Sequence, residues 1–203
     1  FRAEGQPVRI IVSMARALAQ NLIVQPDITS PEELRGKSWA IDGFGALSHH
    51  MSRLVVRALN IGEDEIDWQA VGPPPERIAR LLEASIDVSL IRVEEATSLD
   101  SDTNNKLHTL LGFAELKDLV PIQPHGVLAT TEAYEQAHPE QMLRLTKGMI
   151  RASRALNDDF ENFRKVYDHH VTVKVDDEKV HDIWQKERDS GGFAVNGELT
   201  NGH

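Results

Sequence analysis

No cysteine occurs among the 203 residues, which removes disulfides, thiolate nucleophiles, Cys-ligated zinc and iron–sulfur clusters and leaves the redox compartment open. Aromatic residues are scarce at 5%, so Trp39, Trp68 and Trp184 read as core, and stacking platforms for sugars are disfavoured. No apolar run approaches the ~18 residues of a membrane span. No signal peptide is visible, and Phe1 in place of a methionine reads as a processed or partial product. Clusters of Lys and Arg are missing too. With a formal net charge of −10, polyanion partners are not expected, and the acidity reads as solubility. HExxH, GxSxG and phosphate-loop patterns are absent, as are repeats and low-complexity stretches. What remains is 40% hydrophobic residues, enough core for one large domain or two small lobes.

The most informative stretch is residues 30–50, SPEELRGKSWAIDGFGALSHH. Ser30, Pro31 and Glu33 write a capping-box helix start, with proline where its missing N–H costs nothing. Gly36 ends that helix, Ser38 to Ile41 fit a short strand, and Gly43 and Gly45 permit a tight turn with positive φ. Met51, Leu54, Val55, Ala58 and Leu59 then form the apolar stripe of a helix ending near Asn60, for which Ser48 is the natural N-cap. Free amides and the positive dipole end of such a helix favour an anionic or strongly accepting group by about 0.3–1 kcal/mol.

Elsewhere strands and helices alternate. Val8 to Val12, Asn21 to Gln25, Ile66 to Val71, Ile86 to Ile91, Leu107 to Leu111 and Gly126 to Thr130 are strand candidates. Pro73 to Pro75 open a helix through Ala84 with Ile78, Leu81 and Leu82 on its buried face. From Pro139 the chain is helical, with Met142, Leu145, Met149, Ala152 and Leu156 on one face, followed by helices at 159–168 and 176–188. The βαβαβ succession calls for an α/β fold with a parallel, helix-covered sheet.

Three segments, SPEELRGKSWAIDGFGALSHHMSRLVVRALNI, VGPPPERIARLLEASIDVSLI and HGVLATTEAYEQAHPEQMLRLTKGMIRASRAL, together resemble the solute-binding proteins of ABC importers of the nitrate, sulfonate, taurine and thiamine-precursor group. The resemblance runs from about Pro7 to Thr200 and implies the type II periplasmic-binding-protein fold: two lobes with mainly parallel sheets covered by helices. Members begin with a βαβα segment not found in this sequence, so the first lobe is expected to be incomplete. On the family plan, 1–26 is part of the first lobe, 27–124 the second, and 125–203 the return to the first, with crossings near Pro26 and Pro124 as hinge. The implied function is an extracytoplasmic or periplasmic component that closes on a small anionic or heteroaromatic solute and hands it to an ABC permease, with no cofactor, metal or nucleic acid.

The same resemblance points to Phe44, Gly45, Ala46, Leu47, Ser48 and His49 as the cleft face of the second lobe, beside the turn after Val71 and Arg92 to Glu94. From the first lobe, Met14 to Arg16 and Gln123 to His125 would face it. Ser48 would be hydroxyl donor and N-cap, the amides of Ala46 to Ser48 an anion cradle, and Arg92 a charge partner. Each has a competing structural reading. The glycines serve the turn alone, Ser48 only caps a helix, Arg92 pairs with Glu94 or Glu95 at the surface, and Phe44 is core. GFGALS departs from the dinucleotide pattern at its last position, where Ser48 replaces glycine or alanine. His49 with His50, and His169 with His170, lack an i+4 partner and read as solvated rather than as metal ligands.

Two other function classes stand beside this one. An enzyme on the same fold, decarboxylase-like, would cast His49 and Glu94 as an acid/base pair. The thiamine-pyrimidine synthases are set aside because they depend on a cysteine-rich motif. A LysR-type effector domain shares the fold and the approximate length but usually lacks SPEELRGK.

Overall fold

A computed structural model of the protein describes residues 7–15, 19–100, 107–120, 125–171, 175–189 and 191–197, without the side chains of 94, 97, 98, 100 and 125. The chain divides into two units: Phe1–Leu18 with Ile122–His203, and Ala19–Pro121. The strand at Gln20–Val24, which the segment 1–26 would assign to the first lobe, is hydrogen-bonded into the sheet of the second unit.

The elements follow in chain order. They are β1 (Val8–Ala15), β2 (Gln20–Val24), β3 (Ser38–Ile41), α1 (Leu47–Ala58), β4 (Asp67–Ala70), α2 (Pro74–Leu82), β5 (Val88–Arg92) and α3 (Val93–Asp100). After these come β6 (His108–Leu111), α4 (Phe113–Leu119), β7 (His125–Thr131), α5 (Glu132–Ala137), α6 (Pro139–Asp158), α7 (Phe160–His170) and α8 (Asp177–Asp189).

In the unit Ala19–Pro121 the strand order is β4-β3-β5-β2-β6. β3 runs parallel to β4 and β5, while β2 is antiparallel to both β5 and β6. The sheet is therefore mainly parallel with one reversed strand, where simple alternation of elements calls for parallel strands throughout. Alternating side chains feed two cores. Trp39, Ile41, Leu22, Val24, Val88 and Leu90 pack on one face with Val55 and Val56 of α1 and Leu116 of α4. Ala40, Ile23 and Ile91 pack on the other with Leu81 of α2 and Ala96 of α3. Helices thus cover both faces, as parallel strands require.

Local chemistry explains the joints. Pro31–Leu34 form one 3-10 turn in place of a longer helix. The Glu33 carboxylate accepts from the Thr29 and Ser30 amides at 2.6 and 3.1 Å, while the Ser30 hydroxyl makes no capping bond, so half of the capping box forms. In α2 the buried face differs from the expectation: Leu82 is 50% exposed, and Arg77 is buried together with Leu81. Arg77 and Leu81 are one turn apart and share a face, whereas Leu82 is rotated about 100° away.

The other unit holds an antiparallel pair, β1 with β7 (Val8↔Thr131 to Ala15↔His125), and the helices α5 to α8. Tyr167, Val180 and Ile183 form its buried cluster, packed with Phe160 and Phe163. Of the α6 stripe, Met142 is buried, Met149 and Leu156 are half-buried, and Leu145 and Ala152 are exposed. Trp184 donates through Nε1 to the Leu156 carbonyl at 2.7 Å, which ties α8 to α6. No described helix is long and apolar enough to cross a membrane.

Candidate functional site

The strand order locates the site. After β3 the chain leaves through α1 toward β4, on one side. After β5 it leaves through α3 toward β6, on the other. β3 and β5 are neighbours whose continuations diverge, so their carboxyl ends flank a topological switch point, where open α/β sheets receive ligands. Asp42 follows β3 there, and Arg92 ends β5.

Between Asp42 and α1 the chain makes a fixed turn. Gly45 sits at φ 80, a conformation that side chains resist. The Ala46 amide donates to the Gly43 carbonyl at 3.1 Å, and the Gly45 amide donates to Nδ1 of His49 at 3.0 Å. Ser48 is buried, and its Oγ accepts from the Asp42 amide at 2.8 Å, closing the turn from the inside. The N-cap of α1 is Ala46, without a side-chain capping bond. The expectation that Ser48 caps the helix is corrected: the turn delivers the chain into the helix two residues earlier, and the Ser48 hydroxyl is used backward on Asp42. The Ala46 amide is likewise spent on the turn, so the cradle narrows to the first-turn amides of Leu47, Ser48 and His49, which have no intrahelical acceptor.

The exposed side of this turn is aromatic. Phe44 is 68% exposed and meets His49 edge-on at 5.4 Å. His49 meets Trp68 edge-on at 5.3 Å, and Trp68 lies 5.7 Å from the fully buried Trp39. Leu47 is also exposed. Phe44 is therefore not core, and Trp68 is half-buried while Trp39 and Trp184 are core. Because Nδ1 of His49 accepts a hydrogen bond, the neutral ring carries its proton on Nε2.

Beneath the turn lies a charge that sequence reasoning missed. Arg77 is 3% exposed. Its Nη1 donates to Ser89 Oγ at 3.0 Å and to the Leu90 carbonyl at 2.7 Å, and its Nη2 pairs with Asp42 Oδ1 at 3.1 Å. Burial lowers its pKa from the ordinary guanidinium value. The Asp42 and Glu95 carboxylates oppose that shift, and the nearby positive charge of Arg92 adds to it. The one sequence signal was position: an arginine four residues before Leu81 on the apolar stripe.

Phe44 to His49 are brought together in one turn, and Arg92 stands exposed at the end of the neighbouring β5. Arg16, Gln123 and Pro124 lie outside the described residues, as do the side chains of Glu94 and His125; the backbone of Glu94 is in α3 and that of His125 begins β7. His50 is exposed, and no group of three or more His, Asp or Glu fit for a metal occurs among the described residues. Two open grooves of about 420 and 430 Å3 lie elsewhere, along β4 and α2, and share Val71 and Arg80.

No family model matches the sequence, and no curated protein matches it. Solved structures do. The alkanesulfonate-binding protein SsuA from Xanthomonas axonopodis pv. citri, bound to MOPS, is similar with a TM-score of 0.65 at 15% identity over 90% of this chain and 61% of its own. The periplasmic aliphatic sulphonate-binding protein SsuA from Escherichia coli gives a TM-score of 0.61 at 14% identity, over 93% of this chain and 68% of its own. A Candida albicans gene product described as exhibiting the generic periplasmic binding protein fold gives 0.65 at 14%, over 95% and 60%. The chain thus spans about three fifths to two thirds of the length of these structures. The protein has the periplasmic-binding-protein fold.

Proposed function

We propose that this protein is the solute-binding component of an ABC importer, acting outside the cytoplasm, and that its solute is a small anionic or heteroaromatic molecule passed to a membrane permease. The observation that carries this is the Asp42–His49 turn: a rigid junction at the switch point of a periplasmic-binding-protein sheet, with three first-turn amides beside an exposed phenyl ring. Amides receive an acceptor or anion, and Phe44 offers an apolar face to the rest of the solute. The two neighbours named SsuA are described as sulfonate-binding proteins, which supports a tetrahedral anion as the first probe. In this reading Phe44, Gly45, Leu47, Ser48, His49 and Arg92 contact the solute, with Ala46 held in the turn. Arg16, Glu94 and His125 are proposed to complete the set, with 125–203 and the start of 1–26 as one closing lobe and 27–124, joined by β2, as the other.

The enzyme reading is less well supported. Nδ1 of His49 is already engaged by the Gly45 amide, which fixes the ring without freeing it for proton transfer on that side. The SsuA neighbours are described as binders. Nothing in the site favours a transcription-regulator role.

Titration with MOPS and with a panel of sulfonates, carboxylates and heteroaromatic acids tests the proposal. At a concentration one hundred times Kd, a ligand of the folded state adds about 2.7 kcal/mol, a rise in Tm of roughly 5–10 °C for a chain of this size. Ser48→Ala and Arg92→Ala are expected to weaken binding tenfold or more. Unchanged affinity in both variants would remove the cleft assignment, and turnover of a bound solute that is lost in His49→Ala would favour the enzyme.

A further inference from the structure

Asp42 is held from two directions. Its carboxylate is bound by Arg77 of α2, and its amide is bound by the Ser48 hydroxyl of α1. These helices pack against opposite faces of the sheet, so the residue that leads into the turn is a joint between them. Arg77 has more donors than the attachment of α2 requires. Nη1 already fastens the helix to β5 through Ser89 and Leu90, and Ser89 Oγ continues to the Ala40 carbonyl of β3 at 3.1 Å. The remaining reach, through Nη2, is toward Asp42.

We infer that Arg77 is a positioning residue for the Asp42–His49 turn: by clamping the Asp42 carboxylate from below, it fixes the strand end from which the first-turn amides and His49 are aimed. This rests on the solute-binding reading for its purpose, and on geometry alone for its mechanism. A buried guanidinium held at both terminal nitrogens, with Nε left without a partner, is stiffer than an exposed one. Asp42, at 39% side-chain exposure, would turn to water once released, leaving its amide bond to Ser48 as the tie between the strand end and the turn. Lysine cannot reproduce the clamp, because one ammonium cannot serve Ser89, Leu90 and Asp42 in the fork geometry of arginine.

The test separates positioning from stability. Amide exchange at Asp42 and Gly45, and the 15N resonances of the His49 ring, are followed in the unliganded protein for Arg77→Met, Asp42→Asn and Ser89→Ala. Arg77→Met and Asp42→Asn are expected to speed exchange at both amides by roughly tenfold, the scale of one lost charge-assisted bond, and to shift Nδ1. Ser89→Ala, which leaves the Nη2–Asp42 pair intact, is expected to lower Tm without either change. If Arg77→Met does not fold, Asp42→Asn reads the same pair. Wild-type exchange in Asp42→Asn, or an equal response to Ser89→Ala, overturns the inference. MOPS affinity is measured in parallel. A wild-type protein that does not bind MOPS counts against a sulfonate probe in the functional reading, while Arg77 is judged on exchange alone.

Discussion

The two units use similar materials to different effect. In Ala19–Pro121, five strands lie between helices on both faces, and Leu22, Trp39, Ile41, Leu81 and Leu90 are almost wholly removed from water. In the other unit a two-stranded pair supports α5 to α8, and Ile10, Met14, Leu143, Leu145 and Val166 remain exposed. Apolar content does not separate them; sheet width does. Two strands offer little surface on which helices can bury a stripe, so the residues of α6 that share a helical face do not share burial. Among the described residues of the broader unit, the large exposed apolar side chains are Phe44 and Leu47 of the turn and Leu82 of α2, and on the proposed function the first two are where a solute would land.

This contrast breaks if comparable leucines cost the same. Leu90→Ala is expected to destabilise the broad unit by about 2–5 kcal/mol, and Leu145→Ala the narrow one by no more than about 0.5 kcal/mol. Denaturant unfolding checks this, with Trp39 and Trp68 reporting on one unit and Trp184 on the other. A smaller effect is expected at Gly45. A Cβ there meets open space, so Gly45→Ala costs only the left-handed conformation, about 1–2 kcal/mol, read as a lower denaturant midpoint with an unchanged slope. If the midpoint does not move, the turn is not rigid.

The smallest effect is acid sensitivity. Hydrogen bonds from Lys37 lower the pKa of Asp27, those from the Thr29 and Ser30 amides that of Glu33, those from Arg53 and then Arg57 that of Glu63, and those from the Gly62 amide and then Arg35 that of Glu65. A carboxylate with a lower pKa in the folded state stabilises above its unfolded value, near 4, and loses that contribution as pH falls through the folded value. These groups belong to the broad unit, so its tryptophan signal is expected to lose Tm between pH 5 and pH 3. Glu63→Gln is expected to flatten that slope, and an unchanged slope would assign the acid response to other groups.

Much of this architecture could be read from residue chemistry. Gly36 and Asp42-Gly43 punctuate the strand Ser38–Ile41, so its bounds are legible to the residue. The fold followed from motif order, and the turn's glycines from the conformation they permit. Other features had no local signature. The reversal of β2 is a matter of which strand lies beside it, and QNLIV reads alike in either direction. Ser48 reads as a cap from the sequence, whereas the turn through Gly45 starts the helix at Ala46. Arg77 escaped because a charged residue in PPERIARLL is ordinarily assigned to solvent, and only its alignment with Leu81 argued otherwise.

The pairing of β1 with β7 joins residues more than one hundred positions apart, Val8 with Thr131, whereas β2 to β6 find their partners within the stretch between them. On a ribosome adding about 5–20 residues per second, the broad sheet can close while β7 has yet to leave the exit tunnel. For those several seconds β1 is a nascent strand with Ile10, Ile11 and Val12 unpaired, the kind of edge that holding chaperones cover. The order of synthesis therefore builds the Asp42–His49 turn first and completes the β1–β7 pair last.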